Sequence, residues 1–169
     1  MMGMSDLDQI DILSGLKPGS ELYAIRRERP EFVEGTELCR ETVLSPNHGF
    51  GLSHALRAAL ASRMARSIGR EDLAAVYDLM LDEAGSDADL ASIASGAETA
   101  AAADAFTSAI IRHADLVTQT PRNSSRADIE RLEKAGLTNP QIIALSELIA
   151  FVNYEARVLA GLSLLEEVE

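Results

Sequence analysis

The chain has little sulfur chemistry and little aromatic surface. Among its 169 residues there is one cysteine, Cys39, and no tryptophan, and aromatics make up only 4%. A single thiol excludes an intrachain disulfide. The three histidines, His48, His54 and His113, show neither H-x-x-x-H nor H-E-x-x-H spacing, so no metal site is expected. Basic residues are scarce, 15 against 27 acidic ones, and the net charge of −12 argues against nucleic acid or an anionic membrane as a partner. There is no glycine-rich phosphate loop and no G-x-S-x-G, and no cofactor is expected. No apolar stretch reaches the roughly 20 uninterrupted residues of a membrane span, because Glu147, Glu155 and Arg157 break the best one. The acidic start MMGMSDLDQIDIL lacks the basic n-region of a signal peptide, so a cytoplasmic location is the expectation.

What the chain does have is apolar residues (47%), dominated by alanine and leucine, which favour helices through their low side-chain entropy cost. No segment reads as a strand, and no linker divides the chain. The expectation is one all-α domain over residues 20–169, preceded by an N-terminal arm over 1–19 that lies on the surface or on a neighbouring subunit. In the arm, Leu7, Ile10, Ile12, Leu13 and Leu16 precede Lys17-Pro18-Gly19. Short helices are expected near 21–29 and within 31–41, then a loop at Ser45-Pro46-Asn47-His48-Gly49-Phe50-Gly51. Longer helices follow at about 54–67 and 70–83, a short one at 87–95, and an alanine-rich one at about 98–117.

The legible centre is 123–165. Ser125 and Asp128 form a capping-box-like start, and Gly136 supplies a left-handed stop. Thr138 and Gln141 then cap a second helix with Pro140 in its first turn. That helix, from about Gln141 to Leu165, should run on the order of 35 Å and be buried by several neighbours, since apolar residues cover most of its circumference. At about 100° per residue, Ser146, Asn153 and Arg157 share one narrow stripe flanked by Ala150 and Ala160, with Glu147 and Glu155 elsewhere on the wheel, facing solvent or another helix. Two readings stand for the stripe. Either it is a satisfied structural network or subunit contact, with Arg157 holding an acidic side chain or helix-end carbonyls, or it floors a pocket where Arg157 takes a carboxylate bidentately.

The run from Phe106, FTSAIIRHADLVTQTP followed by ADIERLEKAGLTNPQIIALSELIAFVNYEARVLAGL, resembles the C-terminal part of the alkylhydroperoxidase D-like, carboxymuconolactone decarboxylase superfamily, in its peroxidase-related branch. The likeness covers roughly a third of the chain, and Gly51–Ala84 is similar to the preceding core helices. It implies an all-helical bundle that assembles into homodimers or higher even-numbered oligomers.

The peroxidases of that superfamily carry a glutamate, two cysteines separated by two residues, and a histidine. One cysteine, as a thiolate, attacks the peroxide, and the other resolves the sulfenic acid. Here the matching position reads Gly69-Arg70-Glu71-Asp72-Leu73 and holds no cysteine. The expected function is therefore a non-peroxidase oligomeric scaffold or small-molecule-binding protein. The alternatives are a peroxidase using Cys39 and a cofactor-free acid/base enzyme acting on a small organic acid. Candidate pocket residues are Arg63, Glu71 and Asp72 from the remodelled turn, His113 from the matched run, and Ser146, Asn153 and Arg157 from the stripe. No catalytic residue can be assigned.

Overall fold

Local caps set most of the helix boundaries. The computed structural model describes residues 7–97 and 104–166, and among these there is no strand. The helices are α1 (Gln9–Ser14), α2 (Glu21–Arg27), α3 (Glu31–Leu44), α4 (His54–Ser67), α5 (Glu71–Ala84), α6 (Ala88–Ala94), α7 (Ala105–Gln119), α8 (Arg126–Lys134) and α9 (Asn139–Glu166). Ser20, Ser53, Asp87 and Asp104 each accept a backbone N–H from the first turn that follows, as N-caps should. Before α8 the Ser125 N–H donates to Asp128 (2.9 Å), and before α9 the Thr138 N–H donates to Gln141 Oε1 (2.8 Å). Gly136, between them, has φ 98°, which a side chain would oppose. Of the alanine-rich stretch, α7 begins at Ala105 after the Asp104 cap, and the part of the expected helix over 98–103 lies outside the described residues.

Two helices carry the core. In α4 ten of fourteen residues are buried, and its small residues Ala55, Ala58, Ala59, Ala61 and Ala65 let α5, α6, α7 and α9 pack close against it. From α9, Leu145, Leu148, Ile149, Val152 and Leu159 meet α4, α1, α3 and α7. By length and mean hydropathy α9 could cross a bilayer, a test that the core helix of a soluble fold also passes. Its burial is one-sided, however. Ile143, Glu147, Ala150, Tyr154, Arg157 and Gly161 are all exposed, so the expected all-round burial is corrected to a half-buried helix.

The N-terminal segment is corrected too, since α1 packs on α9 of its own chain and Ile10 (0% exposed) and Leu16 belong to the core. Buried Asp11 ties it to α2, with Arg26 at 2.5 Å and Arg27 at 2.6 Å, while Asp8 takes Arg26 at 2.6 Å. Burial alone would raise the Asp11 pKa, but the two guanidiniums outweigh it and hold the carboxyl below its usual range.

Candidate functional site

The seven candidate residues do not converge on one cavity. Arg63 is buried and fully used. It grips Asp115 bidentately (2.7 and 2.8 Å) and donates to the Ala97 carbonyl (2.9 Å), joining α4 to α7 and the end of α6. Glu71 and Asp72 are exposed ion-pair partners of Arg66 (3.4 Å) and Arg70 (2.6 Å). The stripe on α9 straddles the surface boundary. Asn153 turns inward and donates to Thr118 Oγ1 (3.1 Å) and the Ile149 carbonyl (3.0 Å), whereas Ser146 is exposed and donates to the Ile142 carbonyl (2.7 Å). Arg157 is exposed and donates to the Asn153 carbonyl (3.0 Å). Among the described residues Arg157 is in no ion pair, and it does not line the groove between α3 and α9. His113 is buried on α7 with Nδ1 unpartnered. Its pKa is lowered, first by burial, with Asp128 opposing and Arg112 adding.

Two buried networks were invisible in the sequence. Glu155, expected to face solvent or another helix, faces two helices: it is wholly buried and accepts hydrogen bonds from Arg40 of α3 and Tyr77 of α5. Burial pushes the Tyr77 phenol well above its usual range, against the pull of Arg40. No surface of Glu155 is exposed, so this carboxylate cannot meet a substrate in this conformation. Arg57 of α4 is 2% exposed and has no carboxylate. It donates instead to the carbonyls of Leu52 (3.0 Å), Val43 (2.8 Å) and Gly49 (2.9 Å), clamping the loop between α3 and α4. That loop turns tightly at Gly49, where a Cβ would sit 2.6 Å from the Leu52 carbonyl oxygen, and it presents exposed Phe50 at φ 53°.

A mostly apolar groove of about 560 Å³ lies elsewhere, between α3 and α9. Its α3 wall is Phe32, Thr36, Cys39 and Val43, spaced four, three and four residues apart. Its α9 wall is Glu147, Ala150, Phe151 and Tyr154. Each set therefore forms one helical stripe. Thr36 Oγ1 gives its proton to the Phe32 carbonyl (2.7 Å), so at 3.1 Å it accepts from the Tyr154 hydroxyl and fixes that ring across the groove. The only charged residues in the lining are Glu31 and Glu147. The Cys39 thiol is exposed, and its pKa is raised by burial of its surroundings and then by Glu147. Reading α3 for a four-three-four spacing would have found one wall; pairing it with α9 required the fold.

Among the described residues no group of three or more His, Cys, Asp or Glu side chains could hold a metal ion. No protein-family model, no curated protein and no solved structure matches the chain.

Proposed function

We propose that this protein is a non-peroxidase, small-molecule-binding member of the alkylhydroperoxidase D-like helical superfamily, and that the α3–α9 groove is its binding surface. The resemblance of residues 106–165 supports the family reading, and the all-helical architecture is compatible with it. The observation that carries the binding reading is the groove itself. About 560 Å³ lies in the range of small-molecule sites, its walls are mostly apolar, and a few hydroxyl, thiol and carboxylate groups are placed among them.

The thiol in that wall is poorly suited to peroxide chemistry. A peroxidatic cysteine needs a stabilised thiolate, and both influences on Cys39 favour the neutral thiol. No second cysteine exists to resolve a sulfenic acid. The acid/base alternative fares no better at Glu155, which is sealed between Arg40 and Tyr77.

The test is consumption of tert-butyl hydroperoxide with dithiothreitol as reductant. The expected rate is that of buffer alone. Consumption by the native protein that disappears in Cys39→Ser would overturn the proposal in favour of a one-cysteine peroxidase.

A further inference from the structure

The two carboxylates of the α3–α9 groove differ in what surrounds them. At one end Glu31 is already engaged: the Arg29 guanidinium lies 3.5 Å from its carboxylate and 4.2 Å over the Phe32 ring, a cation held between an acid and an aromatic face. At the other end Glu147 has no such occupant. Among the described residues it is in no ion pair. It does attract Arg57 electrostatically, from outside ion-pair distance. That guanidinium donates to the carbonyls of Leu52, Val43 and Gly49 and is 2% exposed, so it pulls on Glu147 without covering it. The Cys39 thiol of the facing wall also feels the Glu147 charge, so the carboxylate stands toward the groove.

The wall beside Glu147 is apolar and aromatic. Ala150 and Phe151 follow it by one turn and Tyr154 by two, so acid and rings share one stripe about 10 Å long. The chain has four phenylalanines and three tyrosines, and three of those seven rings, Phe32, Phe151 and Tyr154, line this groove. No basic side chain lines it. Arg40, 5.7 Å from the Phe151 ring centroid, is buried and bound to Glu155, so neither it nor Arg57 offers a free charge to an anion.

We infer that the groove selects apolar amines: monocations whose ammonium sits against Glu147 and whose aryl or alkyl body lies along Phe151 and Tyr154. This selectivity rests on the groove being a binding surface and adds the chemical class that the surface takes. An acid of the same shape would meet Glu147 as a like charge, and a neutral molecule would gain nothing from it. Arg57 opposes an incoming ammonium, but from further away than Glu147, which the ammonium touches, and Coulomb energy falls with distance. The net charge of −12 also draws cations toward the whole surface, which any test must separate from the local effect.

The experiment is displacement of Nile red at pH 7 and low salt by three probes of one shape: 3-phenylpropylamine, 3-phenylpropan-1-ol and 3-phenylpropanoate. The amine should bind about tenfold more tightly than the alcohol, the combined effect of an exposed charge pair and a ring face, and the propanoate more weakly than the alcohol. Glu147→Gln should reduce the amine's advantage over the alcohol to about threefold or less. Glu34→Gln removes an exposed charge of α3 outside the groove and should keep the tenfold ratio, which separates Glu147 from net charge. An amine no tighter than the alcohol, or a ratio that Glu147→Gln leaves unchanged or that Glu34→Gln reduces equally, would overturn the inference while the groove stood as a binding surface. Failure of Nile red and of all three probes to bind would overturn the groove and this selectivity together.

Discussion

Arg40 and Glu155 lie 115 residues apart in the chain and meet in the interior, the guanidinium of α3 donating to a carboxylate with no exposed surface. Tyr77 donates to the other carboxylate oxygen, so the three side chains tie α3, α5 and α9 together. Two guanidinium nitrogens of Arg40, Nε and Nη1, have no hydrogen-bond partner. A buried pair of this kind is expensive to break and inexpensive to replace whole, because removing one charge strands the other. Arg40→Met alone should therefore lower stability by about 3–5 kcal/mol, while Arg40→Met with Glu155→Leu should recover most of that loss. Urea unfolding midpoints measure both. A single variant within about 0.5 kcal/mol of native would show that the pair is not buried as described.

His113 gives the fold a pH signature. Its folded pKa lies below the ordinary 6.5, so as pH falls through 6.5 the unfolded chain takes up the proton before the folded one does. The His113 contribution is complete above 6.5 and is lost as pH drops from there toward the folded value. Four carboxyls act in a lower window, Asp104 among them through the N–H and hydroxyl of Thr107. Asp11 is held down by Arg27 and Arg26 despite its burial, Asp78 by Arg66 and Ser62, and Asp128 by Arg112 and Ser125. Their contributions persist until the pH falls below about 3.8. Stability measured between pH 7.5 and 5 should decline on acidification, and His113→Gln should flatten that decline. An unchanged slope in the variant would assign it to another group.

The loop clamped by Arg57 stores strain at Phe50. A side chain at φ 53° costs about 1–2 kcal/mol, and asparagine tolerates that region better. Phe50 is 57% exposed, so it forfeits little burial when replaced. Phe50→Asn should raise stability by about 1 kcal/mol, read as a higher melting temperature. A lower one would mean that the exposed ring is held by contacts which offset its strain.

Features encoded by neighbouring residues were legible in the sequence. The Ser125–Asp128 and Thr138–Gln141 caps and the Gly136 stop needed only a few residues each, and the helices they bound appear where expected. Periodicity on α9 identified its apolar character but could not say which side would be covered. Glu155 shows why. On the helical wheel it is an acidic residue in an apolar helix, and only Arg40 and Tyr77, brought in by the fold, make its burial tolerable. The stripe of Ser146, Asn153 and Arg157 was read from angle alone, and the packing of α7 divides it, drawing Asn153 to Thr118 and leaving the other two exposed. The groove is not legible in the sequence, because each wall by itself is an ordinary helical stripe.

The groove is the central claim, and fluorescence titration with Nile red, a neutral apolar dye, tests it most directly. Cys39 stands in the α3 wall, so Cys39→Ser keeps the space open whereas Cys39→Trp fills it. The native protein and Cys39→Ser should both bind the dye saturably with similar affinity, and Cys39→Trp should bind about tenfold more weakly or not at all. Failure of the native protein to bind saturably, or undiminished binding by Cys39→Trp, would contradict a binding surface between α3 and α9.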